Sequence, residues 1–240
     1  MKLYYILAFG TLLCSQLCSS ASAAMASEEP YNSGIVIRWK DCKQRIDGFG
    51  IAQAGWAKEL FAFKNREQVM DKMFGKDGLR LNILRGEIFP HYWENETDKD
   101  FNLNDDIHIE LSDSDFINKS DDLLRRGQLW LTLKAKNKYH ISKLVFSTWS
   151  APAWMKSNGK VSNGRLKTEC YTDFANYLAA FYNAYKSKGI APYAISPSNE
   201  PGYAAPWNSS LWTADEMGKF ITSYLGPTFR KENIPAKIIF

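Results

Sequence analysis

An amide and a carboxylate stand side by side where a short apolar run gives way to prolines. The run Tyr193–Ile195 has the length and composition of a buried parallel strand, and Ser-Pro-Ser-Asn-Glu-Pro follows it. The prolines stop a helix and push the residues before them toward extended geometry. Asn199 and Glu200 are therefore expected at the carboxyl end of a strand, where an α/β barrel carries its chemistry. A carboxylate in that place can serve as a general acid or base, although an isolated Asn-Glu-Pro triplet is more often an ordinary polar turn.

Polar and aromatic side chains also follow three other predicted strands. They are Gln53 and Trp56, Arg85 and Glu87, and Trp149 and Trp154. A barrel builds its active site from several strand ends in this way. Arg85 has a plainer interpretation as part of a structural ion pair, and one of Trp149 and Trp154 as a core aromatic. Because no Gly-x-Gly-x-x-Gly or P-loop follows the first strand, the sequence gives no support to a nucleotide-binding fold.

Strands and helices alternate along the chain, which predicts an α/β fold with a parallel sheet. The predicted strands are Arg45–Ala52, Leu79–Gly86, Lys143–Ser150, Tyr193–Ile195 and Lys237–Phe240. Two predicted helices cover residues 64–74 and 115–138, the second with a possible break at Gly127. A third has apolar residues at helical spacing, namely Phe174, Tyr177, Leu178, Phe181 and Tyr185. A fourth starts with the capping box Thr213–Glu216. The polar stretch 87–114 is expected to be a rim loop. Periodicity does not specify whether the sheet is open or closed.

The first residues have the pattern of a secretory signal. One Lys precedes an apolar run, and Ala21-Ser22-Ala23 forms a cleavage site, so residues 1–23 are predicted to be removed and the protein to be secreted. Stable membrane insertion is not expected after cleavage. Residues 24–44 would form an N-terminal segment, and 45–240 a barrel domain. The sequons at Asn95, Asn118 and Asn208 are glycosylation candidates. Of the cysteines, Cys42 and Cys170 would remain, and their predicted places toward opposite ends of a barrel argue against a mutual disulfide.

Composition narrows the class of partner. Aromatic residues make up 14% of the chain, including eight Trp and twelve Tyr, which suits either a large core or a carbohydrate site. The net charge of +4 is not clustered, so a nucleic-acid partner is not indicated. No cofactor is expected. No metal is expected either, because the three His residues, His91, His108 and His140, lack the spacing of ligands. The oligomeric state is left open.

Four segments together resemble glycoside hydrolase family 30, whose members are retaining (β/α)8 hydrolases. They are Asp47–Gly50, Asn82–Arg85, Trp149-Ser-Ala-Pro-Ala-Trp-Met-Lys156 and Ser198–Pro201. The resemblance implies that Glu200 is the acid/base, that Asn199 binds the sugar 2-hydroxyl, and that Arg85 keeps the nucleophile ionised. It also implies that Trp149, Trp154 and Tyr203 are walls of the sugar subsites. In this family the N-terminal segment, here Ile35–Trp39, adds one strand to a side β-sandwich.

The family nucleophile is a Glu at the end of the seventh strand, whereas this chain reaches the start of a fifth. The resemblance therefore implies a barrel truncated after the start of strand five, with the nucleophile beyond residue 240. Such a chain is expected to be inactive by itself, and Glu87 is a poor substitute. The implied substrate is a β-linked polysaccharide, xylan or a β-1,6-glycan. The alternatives are a glucosylceramidase-type hydrolase of the same family and a secreted sugar-binding protein without catalysis.

Overall fold

The N-terminal residues form a unit of their own, Met1–Asp47, separate from Gly48–Phe240. A computed structural model describes residues 38–53, 56–91, 93 and 121–240. Within the first unit, Arg38–Asp41 forms a turn in which the Asp41 amide donates to the Arg38 carbonyl at 3.0 Å. Trp39 therefore lies in a turn, contrary to the predicted strand Ile35–Trp39, whose other residues up to Ile37 lie outside the described residues. The predicted signal segment and the sequons at Asn95 and Asn118 lie outside them as well.

The second unit is built on a parallel sheet of five described strands in sequence order. They are β1 Gly50–Ala52, β2 Ile83–Ile88, β3 Lys143–Thr148, β4 Ala194–Ser196 and β5 Lys237–Ile238. Each strand pairs with the next one along the chain, as in the register pairs Gly50–Ile83, Lys143–Ile83, Ala194–Val145 and Lys237–Ala194. The carboxyl ends of all five strands thus lie at one edge, as the alternating sequence pattern predicts.

Helices connect the strands. They are α1 Ala57–Ala62, α2 Arg66–Phe74, α3 Asp121–Tyr139, α4 Tyr171–Ser187, α5 Ala214–Phe220 and α6 Gly226–Lys231. Among the described residues, no helix is long and apolar enough to cross a membrane. The capping box at Thr213 is confirmed, because its side chain accepts from the Glu216 amide while Glu216 accepts from the Thr213 amide.

The core lies between the sheet and α4. All five apolar residues that predict this helix are buried, and the Phe146 ring of β3 meets the rings of Phe181 and Tyr185 at centroid distances of 5.1 and 5.0 Å. Edge-on contacts of this kind are the favoured geometry for aromatic pairs. The spacing argument for α4 is therefore confirmed in both its helical period and its buried face.

Several elements differ from the prediction in their bounds. The helix α3 continues through Gly127, since the glycine faces the backbone of Ala57 in α1 and a β-carbon there would lie 2.7 Å from it. The glycine is thus a site of close helix contact and not a break. The short helix α1 was not predicted. The first strand contains three residues instead of eight, and β2 lies several residues later than predicted, at Ile83–Ile88.

A π-helical turn, Ile221–Leu225, joins α5 to α6 without a loop. The Gly226 amide donates to the Ile221 carbonyl five residues earlier, and Pro227 follows as a residue without an amide donor. Phe220, Leu225 and Phe229 are all buried along this segment. In a regular α-helix, residues five positions apart, such as Phe220 and Leu225, do not lie on the same face. The π turn changes this spacing and brings both residues to the core.

Candidate active site

The segment after β4 is held against the end of β3. The Asn199 amide donates to the Thr148 carbonyl at 2.7 Å, and the Thr148 hydroxyl donates to the Pro197 carbonyl at 2.6 Å. Thr148 is buried, so these bonds are sheltered from water. The Asn199-Glu200 pair therefore leaves the sheet at a defined position on the rim, as its place after an apolar strand predicts.

Three polar side chains form a chain of contacts across that rim. Arg85 Nη2 donates to Asn199 Oδ1 at 2.6 Å, and Asn199 Nδ2 lies 3.3 Å from Glu200 Oε2. Since a guanidinium can only donate, it fixes the amide with its oxygen toward Arg85 and its NH₂ toward Glu200. Burial lowers the pKa of Arg85, while the negative charges of Glu87 and Glu200 act in the opposite direction. The arrangement sets an oriented amide beside an exposed carboxylate.

The backbone of Glu200 is in the left-handed region, with φ at 46°. The extended geometry expected for a residue before a proline is therefore wrong for Glu200. The Glu200 carbonyl accepts from the Tyr203 amide at 2.9 Å, which closes a turn around Pro201 and Gly202. A non-glycine residue in this region costs on the order of 1–3 kcal/mol and persists where the surroundings fix it, often at functional sites.

The two tryptophans of the Trp-Ser-Ala-Pro-Ala-Trp segment have different surroundings. Trp149 is half-buried, and the Arg85 guanidinium carbon lies 4.7 Å from the centroid of its ring. Trp154 is also half-buried but packs against the hydrophobic core, and its Nε1 donates to the Trp93 carbonyl at 3.1 Å. Trp149 thus belongs to the group around Arg85, whereas the contacts of Trp154 are those of a residue at the edge of the core.

An exposed aromatic pair follows Glu200. Tyr203 and Trp207 are 51% and 54% exposed, and their ring centroids lie 6.2 Å apart at 64°. Tyr203 is expected from the sequence, whereas Trp207 is not, because no periodicity marks a residue in an irregular loop. Its signal would have been the combination of a large aromatic side chain with proline and small polar neighbours. Flat, exposed rings beside a carboxylate can stack on the apolar faces of sugars.

The rim loops after β3 and β4 are paired with each other. The Ser209 amide donates to the Val161 carbonyl at 3.0 Å, and the Leu211 amide to the Gly164 carbonyl at 2.9 Å. Within the second loop, the Trp212 amide donates to the Pro201 carbonyl at 2.9 Å. The loop that carries Glu200 is therefore closed at its base and attached along its far side.

Lys156 lies at the contact between these loops. Its side chain is fully buried, and Nζ donates to Ser150 Oγ at 3.0 Å and to the Ser209 carbonyl at 2.6 Å. Burial lowers the pKa of Lys156 to about 8. Both acceptors are uncharged, so the ammonium is held by dipoles alone at these two contacts. The sequence did not indicate a role for Lys156 beyond its place in the Trp-Met-Lys run.

The remaining rim candidates make structural contacts. Gln53 is buried, and its Nε2 donates to Thr132 in α3 at 3.0 Å. Trp56 Nε1 donates to the Ala52 carbonyl at 2.6 Å. Glu87 is also buried, and its backbone amide and carbonyl are both bonded to the side-chain amide of Gln128 at 2.7 Å. Gln53 and Trp56 follow the carboxyl end of β1, and the Gln53 amide donates to the Arg85 carbonyl at 2.8 Å, so Gln53 supports the backbone of Arg85.

The structure describes some of the residues considered as metal ligands, as glycosylation sites and as disulfide cysteines. Within the described residues, no cluster of three His, Cys, Asp or Glu side chains could hold a metal ion. Asn208 is half-buried and forms a β-bridge with Ser162, and Ser209 and Ser210 of its sequon are buried. Cys42 is exposed, whereas Cys170 is buried at the start of α4. Glycosylation at Asn208 stays a prediction.

The sequence matches the profile of the Glycosyl hydrolase family 30 TIM-barrel domain over residues 46–239. The crystal structure of SrfJ from Salmonella typhimurium has the same fold, with a TM-score of 0.63 at 25% identity over 81% of this chain and 43% of that chain. The expected barrel class is thereby confirmed, and the five parallel strands are the part of it that the structure describes.

Three enzymes of different substrates are similar to this chain. Glucuronoxylanase XynC of Bacillus subtilis is 27% identical over 221 residues, which are 90% of this chain and 43% of the relative. Endo-1,6-beta-D-glucanase of Neurospora crassa is 28% identical over 213 residues, 82% and 42% respectively. Lysosomal acid glucosylceramidase of Mus musculus is 27% identical over 217 residues, 82% and 39%. The chain spans about two fifths of the length of these relatives.

Proposed function

We propose that this chain, which belongs to glycosyl hydrolase family 30, forms the acid/base side of a retaining β-glycosidase. Members of the family are glycosidases that hydrolyse O-glycosyl bonds. The activity of the whole protein is part of the proposal, because the chain spans about two fifths of its relatives' length. In the proposal, Glu200 is the acid/base and a second carboxylate comes from a later strand of the barrel.

The observation that carries this proposal is the contact chain from Arg85 through Asn199 to Glu200. It presents an exposed carboxylate on a left-handed backbone and orients an amide NH₂ toward the same space. Such an amide can donate to a sugar hydroxyl next to the reacting carbon, a contact that strengthens in the transition state of glycoside hydrolysis. Arg85 would then have two roles, orienting the amide and supplying positive charge near the carboxylates.

The reaction would proceed by double displacement. Protonated Glu200 gives its proton to the glycosidic oxygen as that bond to the anomeric carbon breaks, and the second carboxylate attacks the anomeric carbon to form an ester. Glu200, now ionised, removes a proton from water, whose oxygen attacks the anomeric carbon and releases the second carboxylate. The sugar leaves with its anomeric configuration retained, and Glu200 is protonated for the next cycle.

The proposed substrate is a β-linked polysaccharide, xylan or a β-1,6-glycan, and the proposed location is extracellular. Two similar enzymes are named for such substrates, a glucuronoxylanase and an endo-1,6-glucanase. Tyr203 and Trp207 support a carbohydrate substrate, because they expose flat rings on the loop that starts at Glu200. The signal-like residues 1–23 support secretion. A glucosylceramide-type substrate is the rival within the family, since a glucosylceramidase is similar to the chain to the same degree.

The test replaces Glu200 by Gln in a protein of the relatives' length that contains these residues. The amide cannot protonate a leaving group, so hydrolysis of substrates with poor leaving groups should fall by ~10²–10⁴-fold. Activated aryl glycosides need no proton and should be hydrolysed with a much smaller loss. Glu232→Gln, at an exposed residue after α6, is the matched control and should behave as wild type. Equal losses on both kinds of substrate would refute the acid/base role of Glu200.

A second candidate function is sugar binding without turnover. It is favoured by the exposure of Tyr203 and Trp207, which would serve a binding protein equally well. The same experiment separates the two, because a binding protein would show no hydrolysis in the wild type. Its affinity for oligosaccharides would fall when Trp207 is replaced by Ala and would persist in Glu200→Gln.

A further inference from the structure

The buried ammonium group of Lys156, whose two hydrogen-bond acceptors are both uncharged, requires an explanation. Lys156 is 0% exposed, and both oxygens that accept from its Nζ are uncharged. Burying a charge costs several kcal/mol unless it is paired and hydrogen-bonded, so a methionine or leucine would be the ordinary occupant of such a place. The lysine therefore has a role that an apolar residue of similar size would not perform.

The two acceptors belong to different rim loops. Ser150 follows Trp149 at the end of β3, and Ser209 lies nine residues beyond Glu200 in the loop after β4. Ser209 is itself a junction, since its amide donates to Val161 and its hydroxyl accepts from the Asn163 amide at 2.9 Å. A single ammonium group thus joins the base of one loop to the far side of the other.

Most of the other bonds between the two loops are made at the far side of the second loop, by Ser209, Ser210 and Leu211. Its base is closed by the bond from the Trp212 amide to the Pro201 carbonyl, and the Ser209 hydroxyl donates to the Ala205 carbonyl at 2.9 Å within it. The aromatic pair Tyr203 and Trp207 lies between these two points. The Trp212–Pro201 bond closes this stretch next to Glu200, so we expect a shift at Ser209 to displace both Glu200 and the aromatic pair.

We propose that Lys156 is a positioning residue of the acid/base site, which holds the loop of Glu200 and the Tyr203–Trp207 pair against the loop after β3. The proposal rests on the proposed function of Glu200. Lys156 does not touch the substrate. It acts on the leaving-group side of the reaction, where the proton of Glu200 is delivered and where the exposed aromatic rings lie. A misplaced proton donor penalises poor leaving groups more than activated ones.

The test is Lys156→Met, which keeps the length and apolar stem of the side chain. The kcat/KM for substrates with poor leaving groups should fall about tenfold or more, while that for activated aryl glycosides changes less than about twofold. Amide hydrogen exchange should accelerate at Ser209 and Leu211, whose amides bond across the loops. Lys160→Met, at an exposed lysine of the same loop, is the control with the same chemical change and should leave both readouts unaltered.

Two further variants keep the proposal testable if Lys156→Met does not fold. Ser150→Ala removes one acceptor and should give a smaller change in the same direction, and Lys156→Arg keeps the charge and should restore part of the activity. Equal losses on both substrate kinds, or unchanged exchange at Ser209 and Leu211, would overturn the proposal. If the acid/base role of Glu200 were wrong, Glu200→Gln would lose activity equally on substrates with poor and with activated leaving groups. Amide hydrogen exchange at Ser209 and Leu211 would still accelerate in Lys156→Met.

Discussion

Replacing Gln128 by Met removes an amide that serves two backbone groups of strand β2. The pairing of β1 with β2 ends at Ala52 and Arg85, so β1 does not reach the amide and carbonyl of Glu87. The Gln128 side chain supplies the two hydrogen bonds that β1 would otherwise make. Its Oε1 accepts from the Glu87 amide and its Nε2 donates to the Glu87 carbonyl, both at 2.7 Å. Nε2 also donates to the Tyr185 hydroxyl at 3.0 Å.

The size of the effect follows from burial. Gln128 is 1% exposed and Glu87 is 8% exposed, so water does not replace the lost partner without local opening. A buried backbone group left without a hydrogen bond costs about 1–3 kcal/mol, and two such groups give about 2–6 kcal/mol. Methionine fills nearly the same volume, so little cavity penalty is added. Since domains are stable by about 5–15 kcal/mol, this change alone would remove a large part of the stability.

The measurement is urea unfolding followed by circular dichroism. The control is Gln68→Met, the same chemical change at an exposed position of α2, which should alter the free energy of unfolding by less than about 0.5 kcal/mol. The exchange rate of the Glu87 amide provides a second, local readout. If Gln128→Met and Gln68→Met shift the unfolding free energy equally, and the Glu87 amide stays protected, the inferred role of Gln128 is refuted.

Three shorter predictions concern charge and packing. The wild type should gain on the order of 1 kcal/mol of unfolding free energy relative to Lys156→Met between pH 7 and pH 9, because the folded protein releases the Lys156 proton near pH 8 and the unfolded chain does so near 10.5. Denaturation at both pH values checks this, and a constant difference contradicts it. Arg85→Ala should move the acidic limb of the pH–rate profile upward, because the carboxylate nucleophile of the proposed reaction loses a stabilising cation, and an unchanged limb in the folded variant would reduce Arg85 to a scaffold residue. Gly127→Ala should destabilise by about 1–3 kcal/mol through its clash with the Ala57 backbone, whereas Gly218→Ala, which has open space, should stabilise by up to about 1 kcal/mol in thermal unfolding.

The elements that could be predicted are those whose signal is local. The helical spacing of buried aromatics defines α4, and the Thr213 capping box marks the start of α5, since both depend on residues within a few positions of each other. The short helix α1 has no such signal, because its six residues span fewer than two turns and Trp56 gives no side-chain cap. The close contact that keeps Gly127 inside α3 joins residues seventy positions apart and is not visible in a local pattern.

The residues of the candidate site also differ in whether a local sequence pattern could predict them. The place of Asn199 and Glu200 at a strand end follows from a local run of residues, and the family resemblance adds roles for Arg85 and Trp149. The left-handed backbone of Glu200 opposes the local rule for a residue before proline, so tertiary contacts must impose it. The link through Lys156 could not be predicted, because it depends on how two loops of separate βα units meet.

The π turn between α5 and α6 bears on how this chain can change in length. Phe220 and Leu225 face the core although they are five residues apart, so the helix behaves as if it carried one inserted residue. Loss of a single codon between those of Ile221 and Leu225 would shorten the step to four, the spacing of a regular α-helix, and Leu225 and Phe229 would still face inward. The deletion would be destabilising mainly at Pro227, because in a regular helix its ring clashes with the carbonyl four residues earlier. A deletion within α5 would instead turn Met217 away from Phe220, so homologous genes are expected to lose or gain a residue at the π turn and not before it.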